Sequence, residues 1–255
     1  MNPQPRLPDG LLVSVRSVEE AIEAVEGGAA IVDVKEPSRG PLGRADAEVA
    51  AAIVNAVATQ TPCTLACGEL ADGHRAISSH GQRVADLVTR GRAGIMAVKA
   101  GPAGLDVAQW RDAFSRLAHD LPSGIELVAV AYADFQTAGA PTPPALMAAA
   151  AEAGAATLLI DTYDKEGPGL IGLAGGRTVD GWVKMAREAG LSVALAGRLT
   201  AAEIAAAVSG ARILGVRSAA CEGGRMGRVD RRNVAQLVGT LETARVVPGH
   251  VTSGV

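Results

Sequence analysis

Lysine is the rare cation of this chain. Of 24 basic residues only four are Lys, at positions 35, 99, 165 and 184, and the other 20 are Arg. An amine can lose its proton when desolvated and can attack a carbonyl, whereas guanidinium does neither readily, so a few lysines in an Arg-rich chain point to amine chemistry. Lys35 and Lys99 follow apolar residues without a break, in Ile31-Val32-Asp33-Val34-Lys35 and Ala97-Val98-Lys99, and Lys165 follows Ile160-Asp161-Thr162-Tyr163-Asp164. Lys184 falls in a stretch of helical spacing, 179–189, and reads as a solvated surface charge. Asp33 and Asp161 accompany these lysines. Each is either a counter-ion that holds an ammonium group or a proton shuttle. Asp33 lies two residues from Lys35 and shares its strand face, which favours the counter-ion reading there; for Asp161 both readings stay open.

Such residues need a frame. Short β-rich apolar runs recur at 11–15, 30–34, 63–67, 94–98, 125–130, 156–160, 191–195 and 212–216, separated by Ala/Glu/Arg stretches of helical spacing. In one of these, 17–26, Ser17 is placed to cap the helix with Glu20 three residues on as in a capping box, and Val18, Ile22 and Val25 share a face. Several helices end in a Gly step, as at Gly27-Gly28, Gly91-Arg92-Ala93-Gly94, Gly154 and Gly190. Continuous apolar strands joined by helices imply a parallel sheet covered on the outside. Eight such units in 255 residues match a single (β/α)8 TIM barrel over 11–245, with loosely ordered ends at 1–10 and 246–255. A doubly wound open sheet is the alternative, but its Gly-rich fingerprint should follow the first strand, which instead runs into Arg16-Ser17.

A barrel places its chemistry at the C-terminal ends of its strands, where the lysines and aspartates lie. Asp33 and Lys35 point inward if Val32 and Val34 pack on helices, and the same parity brings Lys99 and Asp161 inward from two other even-numbered strands. The turns after the seventh and eighth strands carry Ala196-Gly197-Arg198 and Gly215-Val216-Arg217-Ser218, then Gly223-Gly224-Arg225. They occupy the usual phosphate site of such barrels. Gly197, Arg198, Gly215, Arg217, Gly223 and Gly224 are therefore expected to hold a phosphate, with Arg225 near.

Composition excludes several classes. Hydrophobic residues make up 48%, charged residues 20% and aromatics 2%, with a net charge of −3. There is no broad cationic face for a nucleic acid and too few rings for a base-stacking platform. No apolar run reaches the ~18 residues of a membrane span, so a soluble, cytoplasmic protein is expected. Three Cys and four His lack disulfide or metal-ligand spacing, and no metal or other cofactor is expected. Oligomeric state is open, a homo-oligomer included.

Seven motifs, in order, resemble the (5-formylfuran-3-yl)methyl phosphate synthase family of methanofuran biosynthesis, also called 4-(hydroxymethyl)-2-furancarboxaldehyde-phosphate synthase. They are Ile31-Val32-Asp33-Val34-Lys35-Glu36-Pro37 with Gly40-Pro41-Leu42-Gly43, Val98-Lys99, Ala131-Tyr132-Ala133-Asp134, Leu159-Ile160-Asp161-Thr162 with Lys165, Val193-Ala194-Leu195-Ala196-Gly197, Gly215-Val216-Arg217, and Ala219-Ala220-Cys221. The third strand departs, ending Cys67-Gly68-Glu69 where Gly-Asp is expected. The resemblance spans about 11–237. It implies a lyase that condenses two glyceraldehyde 3-phosphate molecules into a phosphorylated furan aldehyde, with loss of phosphate and water. It also implies a Schiff base at Lys35, proton acceptance by Lys99, and a site completed by Asp33, Asp161 and Lys165. The competing classes are a Schiff-base aldolase acting on another sugar phosphate and a non-catalytic phosphometabolite-binding barrel.

Overall fold

The computed structural model describes residues 7–88, 94–206 and 210–246. Eight parallel strands close on themselves: β1 (Gly10–Val15), β2 (Ile31–Val34), β3 (Cys63–Glu69), β4 (Ile95–Gly101), β5 (Glu126–Tyr132), β6 (Thr157–Asp161), β7 (Ser192–Leu195) and β8 (Ile213–Val216). Closure is made by β8 against β1, with Gly10 opposite Ile213 and Val13 opposite Val216. The expected (β/α)8 barrel is the fold. Each strand lies within a few residues of its apolar run, because those runs are buried on both faces and only a parallel sheet wrapped in helices accommodates that.

The helices are α1 (Val18–Glu26), α2 (Ala47–Val57), α3 (His74–Leu87), α4 (Val107–Asp120), α5 (Phe135–Ala138), α6 (Pro143–Glu152), α7 (Leu170–Ala174), α8 (Gly176–Glu188), α9 (Ala201–Ala206) and α10 (Arg231–Val246). A small antiparallel hairpin, β9 (Cys221–Glu222) with β10 (Arg228–Val229), rises from the loop after β8. The alternation of side chains along each strand divides the apolar core in two. Val13, Val32, Val34, Val98, Ile160 and Leu214 face the helices, while Leu12, Ile31, Ala66, Val128, Leu159 and Ile213 plug the lumen. The inward parity of Asp33 and Lys35 follows directly.

At the start of α1, Ser17 Oγ accepts the Glu20 N–H at 3.3 Å as the spacing predicts. The reciprocal half of the capping box is absent. Glu20 Oε2 accepts the Arg16 N–H at 3.0 Å, and the carboxylate is buried against Arg217 from the other end of the chain. Of the segment expected to be loose at 1–10, residues 1–6 lie outside the described residues, Leu7 is buried with the lumen cluster, and Gly10 opens β1. The tail beyond 246 and the expected helix stop at 91–93 also lie outside them. Among the described residues no helix is long and apolar enough to cross a membrane.

Candidate active site

Above the lumen plug, at the C-terminal end of the barrel, the inward residues turn polar. β1 contributes Ser14, β2 Asp33 and Lys35, β3 Thr64, β4 Lys99 and β6 Asp161, and all line one pocket with about 710 Å3 of empty space counting its open mouth. Both Lys35 and Lys99 are nearly sealed from solvent, 6% and 5% exposed. The strand registers explain the convergence. Asp33 sits level with Ser14 on one side and is paired with Thr64 on the other, so each carboxylate oxygen meets a hydroxyl. Ser14 Oγ donates to Oδ2 at 3.0 Å and Thr64 Oγ1 donates to Oδ1 at 2.7 Å.

The partner of Asp33 differs from the expected one. Its ion pair is with Lys99, at 2.6 Å, and not with Lys35. Successive inward residues on one strand stand about 6.6 Å apart, too far for a short Asp to reach its own i+2 lysine head, whereas the long Lys99 side chain crosses the lumen to it. Asp161 pairs with Lys165, four residues on, also at 2.6 Å, and accepts the Thr162 N–H at 2.7 Å. Burial alone would raise the Asp161 carboxyl, but Lys165, Lys35 and these hydrogen bonds hold it below the usual carboxylate range. Burial lowers Lys165 against the pull of Asp161.

Lys35 lies between the two pairs, and among the described residues no carboxylate is within ion-pair distance of it. Its Nζ has one long contact, 3.5 Å to the carbonyl of Pro41, in the loop that folds back after β2. Burial, followed by the charge of Lys165, brings its amine down to about 7, against the opposing fields of Asp33 and Asp161. A buried lysine amine brought near neutrality, in a pocket and flanked by two ion pairs, has the properties that let an amine attack a carbonyl.

The expected phosphate residues divide into two sets. Gly197, Arg198, Gly215 and Arg217 line the same pocket as Lys35, whereas Gly223 and Gly224 are not part of its wall and form the turn between β9 and β10. Gly197, at φ 99°, holds a backbone conformation that favours glycine, and a Cβ there would fit tightly, 3.0 Å from Thr162 and 3.1 Å from Leu170. Arg198 directs its guanidinium to the carbonyls of Glu166 and Gly167. Arg217 is a brace: its five N–H groups meet both oxygens of Glu20 and the carbonyls of Ser14, Arg225 and Gly227. That fork is fully occupied within the protein and leaves no donor for a ligand.

Three further residues lie outside the expected set of site residues. Glu69, at the departure from the expected Gly-Asp, accepts the Tyr132 hydroxyl at 2.8 Å and the Ala103 N–H at 3.1 Å, and burial raises its pKa. Gly101 admits this contact, because a Cβ there would lie 2.0 Å from Glu69 Oε2 and 2.4 Å from Tyr132 Oη. Asp134 accepts the N–H groups of Tyr163 and Asp164, both at 2.7 Å, and so fixes the turn that returns Lys165 to Asp161. Glu20, the partner of Arg217, is the third. Among the described residues no group of three or more His, Cys, Asp or Glu is placed to hold a metal ion.

The 4-HFC-P synthase family model matches residues 11–238. The (5-formylfuran-3-yl)methyl phosphate synthase of Archaeoglobus fulgidus is 33% identical over 244 residues, covering 89% of this chain and 97% of that protein. The chain belongs to the 4-HFC-P synthase family. Synthases of the same name from Methanopyrus kandleri and Methanothermobacter thermautotrophicus are 34% and 32% identical, over 86% and 91% of this chain and 92% and 99% of theirs. The barrel of this family member is also similar to solved structures of distant sequence. KGPDC from Streptococcus mutans superposes with a TM-score of 0.62 at 11% identity, over 94% of this chain and all of that one. Phosphoribosylanthranilate isomerase from Thermotoga maritima gives 0.56 at 15%, over 92% and 99%. These two speak to the fold alone.

Proposed function

We propose that this 4-HFC-P synthase family member condenses two glyceraldehyde 3-phosphate molecules to (5-formylfuran-3-yl)methyl phosphate, in the synthesis of a methanofuran-type cofactor, through a Schiff base on Lys35. The observation that carries the reading is the Lys35 amine, sealed from water, without a carboxylate and titrating near 7. Its neutral nitrogen attacks the aldehyde carbon, and water leaves to give an iminium. The iminium withdraws electrons from the neighbouring C–H, a base takes that proton, and the electron pair of the resulting enamine expels phosphate from the next carbon. Lys99, held 2.6 Å from Asp33, is the proton acceptor: its own proton passes to the carboxylate within the pair, and the neutral amine then takes the proton from carbon. The carbon that has lost phosphate bonds to C2 of the second triose phosphate, taken as its ketone tautomer, which sets the branch of the 3-substituted furan. Ring closure through the C1 hydroxyl of that triose onto the first triose's C2 and loss of two waters give the aromatic ring, and hydrolysis of the imine frees Lys35. Two triose phosphates then balance against one furan phosphate, one phosphate and two waters. The Asp161–Lys165 pair, on the opposite wall, supplies a proton to the oxygen that becomes a hydroxyl in the second addition. The turns around Gly197 and Gly215, at the usual phosphate site of the barrel, face this chemistry.

The test is to incubate the purified protein with glyceraldehyde 3-phosphate alone and follow the ultraviolet absorbance and product masses. A furan aldehyde phosphate with equimolar inorganic phosphate is expected. A reversible aldol adduct in its place would make the protein an aldolase, and binding without turnover would make it a phosphometabolite-binding barrel.

A further inference from the structure

Five cationic side chains with buried or half-buried heads line the pocket: Lys35, Lys99, Lys165, Arg217 and Arg225. Three carry their own carboxylate, in the pairs Lys99–Asp33, Lys165–Asp161 and Arg217–Glu20. Among the described residues Lys35 and Arg225 have none within ion-pair distance. Lys35 can shed its charge. Arg225 cannot, because guanidinium stays protonated throughout the accessible pH range. A half-buried permanent cation without a counter-ion is unfavourable, and a bound anion is what relieves it.

Arg225 is also aimed. One Nη donates to the carbonyls of Pro37, at 3.3 Å, and Gly40, at 3.0 Å, which locks the guanidinium plane against the loop after β2. Its Nε and other Nη have no hydrogen-bond acceptor among the described residues. The side chain stands where two cavities meet: it lines the inner pocket that holds Lys35, and it lines the outer vestibule bounded by Ser38, Pro41, Tyr163 and Glu166. Arg217 and Arg198 add positive field around it, opposed by Asp161 and Glu166.

We propose that Arg225 binds the phosphate dianion of the incoming aldehyde through its two unengaged edges, and so makes the site specific for phosphorylated substrates. A fork presenting parallel N–H groups suits two phosphate oxygens, and Arg217, next along the same wall, has no donor left to do this. The inference deepens the reading of Lys35 as the Schiff-base residue and rests on it for the identity of the aldehyde.

The test traps imines with cyanoborohydride on wild-type protein, Arg225→Met and Arg225→Lys, using glyceraldehyde 3-phosphate and unphosphorylated glyceraldehyde, with adducts counted by intact mass. The readout is the ratio of half-saturating concentrations for the two aldehydes. Arg225→Met is expected to lower the preference for the phosphorylated aldehyde by roughly 10- to 100-fold, and Arg225→Lys to restore part of it as a point charge without the fork. A preference that stays as in wild type overturns the proposal and leaves Arg225 as a tie between loops. Calorimetric titration with inorganic phosphate separates this from the Lys35 reading. If wild-type protein traps neither aldehyde at Lys35, the Schiff-base reading fails, while loss of phosphate binding in Arg225→Met still supports the anion site and equal binding refutes it.

Discussion

Replacing Lys165 with Met should raise the pKa of Lys35. After burial, the charge of Lys165 is the largest influence lowering the Lys35 amine to about 7. Its removal acts twice in the same direction. One positive neighbour disappears, and Asp161, no longer paired at 2.6 Å with Lys165, turns an uncompensated negative charge toward Lys35. Two unit charges about 6 Å apart at an effective dielectric of about 20 interact by about 3 kcal/mol, which is about two pKa units; one unit is a conservative floor. With the midpoint moved from about 7 to about 8, the neutral fraction at pH 7 falls from about half to about a tenth. Imine formation at that pH should slow by about fivefold and recover above pH 9. The assay is the rate of cyanoborohydride trapping of glyceraldehyde from pH 6 to pH 10, an aldehyde without phosphate being chosen to keep anion binding out of the measurement. A midpoint that is unmoved or shifted downward would refute the electrostatic account, even if the amplitude fell at every pH.

The remaining predictions concern the frame and the cost of the site. Arg217→Ala takes from the buried Glu20 carboxylate its closer cation and leaves it only the Arg16 N–H and the more exposed Arg16 guanidinium at 3.6 Å, and should destabilise the protein by about 3 kcal/mol in urea unfolding, with Glu20→Gln destabilising in the same direction. Gly101→Ala drives a methyl group into Glu69 and Tyr132 and should lose about 1–3 kcal/mol of stability in the same measurement. Lys35→Met should raise the melting temperature, more at pH 6 than at pH 9. Because the folded-state amine titrates near 7 and the unperturbed one at 10.5, the unfolded chain binds more protons between those values, so wild-type stability rises with pH across that window and is lowest below it. Equal gains at both pH values would count against a depressed Lys35.

Much of the barrel was legible because its strands are buried on both faces, and such runs stand out between amphipathic helices. Asp33, Lys35, Lys99 and Asp161 could be placed inward from strand parity alone, given Val32 and Val34 packing outward. Partner choice was not legible. Asp33 neighbours Lys35 in sequence, yet side-chain reach gives it to Lys99 across the lumen, and only the barrel register brings β2 and β4 into that relation. Local spacing consequently gave Asp33 to Lys35 as its counter-ion, while the structure leaves Lys35 with no carboxylate within ion-pair distance among the described residues. The same limit applies to Arg217. Its place after β8 suggested an anion contact, but its carboxylate comes from Glu20, 197 positions away, whose spacing from Ser17 spoke only of a helix cap. Glu69 had a usable signal, since a carboxylate following Gly at a strand end was already conspicuous, but its tyrosine partner lies two strands away. Arg225 differs from the buried Arg217 in having no carboxylate within ion-pair distance among the described residues, and a missing counter-ion is visible only when every neighbour is in place.

The central claim is that the substrate becomes covalent with Lys35, and borohydride added to the wild-type protein during turnover of glyceraldehyde 3-phosphate tests it most directly. Peptide mass spectrometry should find the reduced adduct on the peptide that carries Lys35, and Lys35→Arg should abolish it because guanidinium remains protonated. An adduct on Lys99 in the wild-type protein, or trapping that persists in Lys35→Arg, would contradict the account.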